Sequence, residues 1–155
     1  MGVEIERKFL LVNDHWRNQT ERSERQVQGY LGSVESCSIR IRVVGEQANL
    51  NIKSATLGIE RQEYDYPVPL AEAEEILQHL CKKSLIEKIR HYLPLAGHVW
   101  EIDEFLGDNS GLVVAEIELA DVNEAFTRPD WLGSEVSDDP RYYNVCLVEH
   151  PYSNW

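Results

Sequence analysis

Glu4-Ile5-Glu6-Arg7-Lys8-Phe9-Leu10 alternates charged and apolar side chains almost without a break. A β-strand turns successive side chains to opposite faces. Glu4, Glu6 and Lys8 then share one face, with Ile5 and Arg7 on the other. Arg7 is therefore set aside from the charged group in spite of its charge.

The same two-residue period recurs along the chain. It predicts strands over 3–12, 26–32, 36–44, 48–54, 60–67, 85–93, 98–106 and 112–119. Turn-forming residues separate several of them, including Gly45-Glu46, Ala96-Gly97 and Gly107-Asp108-Asn109. Eight closely spaced strands suggest a mostly antiparallel barrel or sandwich. Helices interrupt this pattern. In 69–83, Leu70, Ala73, Ile76, Leu77 and Leu80 form one stripe, and Lys82-Lys83 suit the C-terminal end. A short helix is expected near 121–126, ending before Pro129, and another over 140–149 with Pro140 in its first turn. Asp14 is a candidate cap for one turn carrying Trp16.

By parity, Arg40 and Arg42 share a face, as do Arg61 and Glu63, Lys88 and Arg90, Glu101 and Asp103, and Glu116 and Glu118. Lys53 opposes Leu50 and Ile52. With the first strand, this makes seven bases and seven acids. Each strand taken alone fits a solvated outer face. Two features of the set argue otherwise. Several pairs carry like charge at i, i+2, an arrangement that needs a neutralising partner. Arginine also dominates, as it does where planar forked donors hold phosphate oxygens. The alternative is an inside-out barrel with a charged, water-filled interior. Eight strands leave room for side chains or one small ligand. Acid clusters there would hold hard divalent cations through oxygen, and base clusters would hold phosphate.

The chain has 155 residues, consistent with a single domain over 1–155. Its net charge of −12 argues against nucleic-acid and anionic-membrane partners. Cys37, Cys81 and Cys146 form neither a disulfide framework nor a zinc knuckle, which favours a reducing, cytoplasmic setting. The charged N-terminal stretch is unlike a signal peptide, and no run reaches the ~18 apolar residues of a membrane span. The histidines show no metal-ligand spacing, and His91 reads as structural. No Walker-type glycine loop is present.

The opening stretch resembles the Glu-x-Glu-x-Lys motif of the CYTH domain, also called the triphosphate tunnel metalloenzyme superfamily. Further matches follow in order: Gln28-Gly29-Tyr30-Leu31, Ser38-Ile39-Arg40-Ile41-Arg42, Ile52-Lys53, Arg61-Gln62-Glu63-Tyr64, Glu87-Lys88-Ile89-Arg90, Trp100-Glu101-Ile102-Asp103, Ala115-Glu116-Ile117-Glu118 and the closing 135–144. The resemblance implies a mainly β fold with short α-helices (α+β): a closed eight-stranded antiparallel tunnel with a charged interior and helices packed outside. It implies metal-binding acids at Glu4, Glu6, Glu116 and Glu118. It implies phosphate-binding bases at Lys8, Arg40, Arg42, Lys53, Lys88 and Arg90, with Arg61 alongside them and Arg141 near the tunnel mouth. Glu63, Glu101 and Asp103 match acids that orient bases or support a second metal. His91-Tyr92 stands where close relatives usually have tyrosine directly after the Lys-x-Arg motif, on the face away from the charges.

The expected cofactors are Mg2+ or Mn2+, two ions in all. One would be held by Glu4, Glu6 and Glu118, and a second would lie near Glu63, Asp103 or Glu116. The expected substrate is a small-molecule triphosphate, bound by a monomer or homodimer. Hydrolysis of inorganic tripolyphosphate is the leading activity. A class IV adenylate cyclase, a thiamine or nucleoside triphosphatase, and a non-enzymatic polyphosphate- or nucleotide-binding module are the alternatives.

Overall fold

The computed structural model describes residues 2–155. The strands are β1 (Gly2–Leu11), β2 (Arg22–Ser33), β3 (Cys37–Val44), β4 (Gln47–Ser54), β5 (Glu60–Val68), β6 (Ile86–Leu95), β7 (His98–Phe105), β8 (Val113–Leu119) and β9 (Leu132–Glu135). The sheet runs β5-β4-β3-β2-β6-β7-β8-β1, and β5 then pairs with β1 to close an eight-stranded antiparallel barrel. β9 is a ninth strand that the alternation does not mark. It pairs with Phe9 and Leu11, beyond the stretch Gly2–Ile5 that β5 occupies.

Ridges of apolar side chains cover the outside of the barrel. On β1, β6, β7 and β8 the cluster holds Phe9, Leu93, Trp100, Ile102, Ala115, Ile117 and Leu119. Trp16 from the 3-10 turn His15–Gln19, Trp131 and the half-buried Phe126 close over it, with no α-helix on this side among the described residues. Helix α1 (Leu70–His79) covers Ile41 and Ala48 on β3 and β4 through Ala73 and Leu77. Lys83 Nζ donates to the carbonyls of Leu77 and Gln78 at 3.3 and 3.4 Å, tying off the helix end as the sequence suggested. On β2, Gly29 leaves no space for a larger side chain. A Cβ there would lie 2.8 Å from Cys81 and Leu85.

Three local expectations need correction. Residues 121–126 form no helix. The Asp121 side chain accepts the amide of Asn123, and the Glu124 side chain accepts that of Ala120, both at 2.8 Å, which holds a turn instead. The 140–149 stretch is broken at Tyr143, whose backbone is extended between a 3-10 turn (Pro140–Tyr142) and helix α2 (Asn144–Glu149). Asp14 gives no side-chain cap to the 3-10 turn His15–Gln19, and the Asn13 side chain accepts the His15 amide at 2.9 Å.

The interior face is charged over most of its length and apolar at one end. Tyr30, Ile86, Phe105 and Val114 follow the charged positions of β2, β6, β7 and β8 in parity, and they meet Tyr142 and Leu147 in a buried cluster. The C-terminal segment thus seats against one end of the barrel. The three cysteines are free, and among the described residues no helix is long and apolar enough to cross a membrane.

Candidate active site

The charged positions converge on one interior chamber of about 220 Å³. Glu4, Glu6, Lys8, Arg40, Arg42, Lys53, Arg61, Glu63, Lys88, Arg90, Glu101, Glu116 and Glu118 all line it. Asp103 lies fully buried just behind the wall. Arg7 faces outward, where it pairs with Glu135 and stacks on Phe9 and Phe126. His91 is also outside, bonded to Ser23 and Glu104 against Trp16.

One expected site residue does not join. Arg141 is exposed, and its guanidinium is held by Asp139 two residues earlier at 2.8 Å. The guanidinium also lies over the Tyr142 and Trp155 rings, 5.5 and 5.1 Å from their centroids. Arg61 is the chamber's base on this side, with its guanidinium 4.4 Å from the Tyr143 ring.

Strand register pairs the charges in a definite order. Lys8 stands opposite Glu116, and Glu6 opposite Glu118. Arg90 stands opposite Asp103, and Lys53 opposite Glu63. β2 and β4 present amides to the arginines of β3, with Gln28 opposite Arg42 and Asn51 opposite Arg40.

Two charge environments result. In the first, acids and bases satisfy one another. Asp103 accepts from Lys88 Nζ at 2.7 Å and from Arg90 Nε and Nη2 at 2.7 and 2.8 Å. Arg90 also reaches Glu116 at 3.3 Å and bonds Glu101 through Nη1. Lys8 Nζ lies 3.4 Å from Glu116. Burial alone would raise Glu116 and Asp103, but the surrounding bases outweigh it and hold both below the usual carboxylate range. Burial similarly opposes the charge on Lys8, yet Glu116 and Glu6 overcome it and raise its pKa. Lys88 does not escape: burial, with Arg90 and Arg42 close by, pushes it down to about 7.

In the second environment, like charges gather with too few partners: Lys53 is shared between Glu4 and Glu63. Burial raises Glu6 well above the carboxylate range, and Glu116 and Glu4 add to the shift. Glu4 is raised as well, first by burial, and Glu118, though exposed, is raised by partial desolvation and by Glu4. Glu4 Oε2 lies 2.9 Å from Lys53 Nζ but off hydrogen-bonding direction, and it makes no hydrogen bond. Across the chamber, Arg40 and Arg42 lack any carboxylate within ion-pair distance among the described residues. Arg40 Nε is buried without a partner, and Arg42 is pushed down to about 10 by burial and by Arg40 and Arg90. One wall is short of cations and the other of anions.

This tests whether the acids fit a divalent ion. Glu4, Glu6 and Glu118 offer oxygen ligands only, suited to a hard cation, and their raised pKa values mark unmet negative charge. Among the described residues no three acidic, histidine or cysteine side chains already converge as a closed cage. The residues fit an ion that gathers them. Glu116 and Asp103 fit less well, because their oxygens are committed to bases.

Reading charge alone missed Asn51, Ser137, Tyr143 and Asn144 in the chamber lining. Neutral side chains give no signal in a charge pattern. Gln28 was marked only by its place in a motif, and it lies fully buried beside the arginines.

The CYTH domain family profile matches residues 2–143. An inorganic triphosphatase of Acetivibrio thermocellus is 46% identical over 155 residues, covering 100% of this chain and 99% of that protein. An inorganic triphosphatase of Nitrosomonas europaea is 34% identical over 150 residues, covering 94% and 97%. A crystal structure described as an inorganic triphosphatase superposes with a TM-score of 0.67 at 32% identity, covering 94% of this chain and 93% of that one. A Pyrococcus horikoshii protein shares the fold at a TM-score of 0.61 and 20% identity, over 77% and 80% of the two chains. With its tunnel, its charged lining and these relatives, the chain belongs to the CYTH domain family.

Proposed function

We propose that this chain hydrolyses inorganic tripolyphosphate to pyrophosphate and phosphate in a reaction that depends on Mg2+ or Mn2+. The observation that carries this reading is the split chamber. A wall short of cations faces a wall short of anions, and a metal–polyphosphate complex supplies both. Relatives that match the chain nearly end to end are named for the same activity.

Arg40 and Arg42 bind the phosphate chain with N–H groups that no carboxylate competes for, and their charge stabilises charge developing in the transition state. Lys53 and Arg61 extend the clamp toward β5. Lys88 and Lys8 face the same space, and a bound phosphate holds the proton on Lys88. Arg90 has given most of its donors to Asp103, Glu101 and Glu116. Its first role is to hold the wall in place, with one N–H left for substrate.

Glu4, Glu6 and Glu118 hold the divalent ion in this reading. Glu63 is the acid best placed to serve a second, since its Oε2 makes no hydrogen bond while Asp103 is fully engaged. An ion held by these carboxylates would supply charge neutralisation for phosphoryl oxygens and a water of lowered pKa. The phosphoanhydride bond breaks, the water oxygen joins the released phosphoryl group, and the remaining two phosphates leave as pyrophosphate.

The test compares phosphate release from tripolyphosphate, ATP and thiamine triphosphate with Mg2+ or Mn2+, alongside an assay for cyclic AMP. Tripolyphosphate is expected to be the preferred substrate. Cyclic AMP as the dominant product would overturn the assignment.

A further inference from the structure

Two neutral side chains bridge bases on separate strands. Asn144, the first residue of α2, lines the chamber. Its Oδ1 accepts from Lys88 Nζ at 2.9 Å and from Gln28 Nε2 at 3.0 Å. Gln28 in turn accepts from Arg42 Nε at 3.0 Å through Oε1, and its Nε2 lies 3.3 Å from Tyr30 Oη. A continuous polar thread therefore runs from Arg42 on β3 through Gln28 on β2 and Asn144 on α2 to Lys88 on β6.

The donor count shows what the thread leaves free. An ammonium has three N–H groups. Asp103 takes one from Lys88 and Asn144 takes another, so one remains for the chamber that Lys88 lines. Arg42 gives Nε to Gln28, and no carboxylate among the described residues pairs with its two terminal nitrogens. Arg90 is the contrast, with Nε, Nη1 and Nη2 each bonded to an acid. A carboxylate fixes a base and also neutralises it. An amide oxygen fixes its direction and adds no counter-charge.

We propose that the Gln28–Asn144 amide pair positions Lys88 and Arg42 for the phosphate chain, leaving the charge of Arg42 unpaired and adding no second counter-charge to the one Asp103 gives Lys88. The inference rests on the tripolyphosphatase reading of the chamber. Both amides are positioning residues, since they act through the bases they hold. Asn144 also gives the C-terminal segment a part in substrate binding, because it carries α2 into the clamp.

The test uses the full chain and three variants, Asn144→Leu, Asn144→Asp and Gln28→Met. Leucine matches asparagine in size but accepts no hydrogen bond. Kinetics on tripolyphosphate with Mg2+ give KM and kcat, calorimetry gives tripolyphosphate binding to the metal-free protein, and thermal melts report folding. N144L should raise KM about tenfold or more, with kcat changed less than about threefold, as the loss of a hydrogen bond to a charged group predicts. N144D keeps both accepted bonds and should still raise KM by a similar factor, because its charge competes with phosphate. N144D behaving as the parent while N144L is impaired would overturn the role of neutrality. An unchanged KM and unchanged binding in both N144L and Q28M would overturn the bridge itself. If N144L folds poorly, Q28M tests the same thread from its other end. A parent chain that leaves tripolyphosphate intact would count against the activity reading, and binding to metal-free protein would still decide the bridge.

Discussion

Glu6 stands directly opposite Glu118 in the β1–β8 ladder, while two residues along the same strand Lys8 stands opposite Glu116. Directly opposed like charges destabilise a sheet, and opposed unlike charges stabilise it. Successive rungs on the interior face of one ladder therefore carry opposite energetic signs. The acid–acid rung is where a cation is called for.

Glu6→Gln should stabilise the metal-free protein at neutral pH. The folded-state pKa of Glu6 is raised, so its favourable contribution is present below the unfolded carboxylate value and is lost as pH rises through the folded value. Glutamine removes that loss. A gain of ~1 kcal/mol would raise Tm by about 2–4 °C at pH 7, shrinking toward zero near pH 4. The same variant should abolish metal-dependent turnover. Melts across pH with and without Mg2+ check this, and the parent should gain more from Mg2+ than the variant.

Glu116→Gln should do the reverse. Glu116 is held well below the usual range, so its contribution is present above the unfolded value and is lost as pH falls through the folded one. Removing the charge leaves Lys8 and Arg90 short of a buried partner. The expected loss is about 3 kcal/mol at neutral pH, measured by urea unfolding. A stability equal to the parent would show that the bases find other partners.

Arg42→Glu should raise KM for tripolyphosphate on the order of 100-fold and leave the metal requirement in place. Metal titrations of turnover at saturating substrate separate the two effects. An unchanged KM would remove Arg42 from the phosphate clamp.

Arg141→Ala should keep KM and kcat within about twofold of the parent and leave stability essentially unchanged, as for an exposed residue whose ion pair is local. A large rise in KM would show that the C-terminal turn swings inward when substrate is present.

Alternation exposed the barrel because each strand buries one face, and a period of two survives wherever both faces have a fixed environment. It failed at β9. Leu132-Gly133-Ser134-Glu135 is too short and too mixed to show a period, and it is a strand only because Phe9 and Leu11 offer an edge. The helical reading of 140–149 failed at Tyr143, where the donation of the Tyr143 hydroxyl to the Ser137 carbonyl at 2.7 Å holds the chain in place. That contact joins residues outside any helical repeat. The charged lining was legible by parity, but the division of labour within it was not. Whether Asp103 binds a base or an ion depends on how close Lys88 and Arg90 come, which register fixes and composition does not. For Arg141 the motif resemblance marks a position in sequence, whereas its pairing with Asp139 and its absence from the chamber lining show only in the folded chain.

β1 pairs with Glu60–Glu63, with Ala115–Leu119 and with the ends of β9. During synthesis it emerges before all three partners, and its ladder cannot be completed until residues near 135 have been made. A strand that waits so long with an open edge invites pairing with a neighbouring nascent chain. Glu4, Glu6 and Lys8 interrupt its apolar character at every second position and act as gatekeepers through that interval. The charges that line the finished chamber are thus the same ones that break the apolar run of this strand before its partners exist.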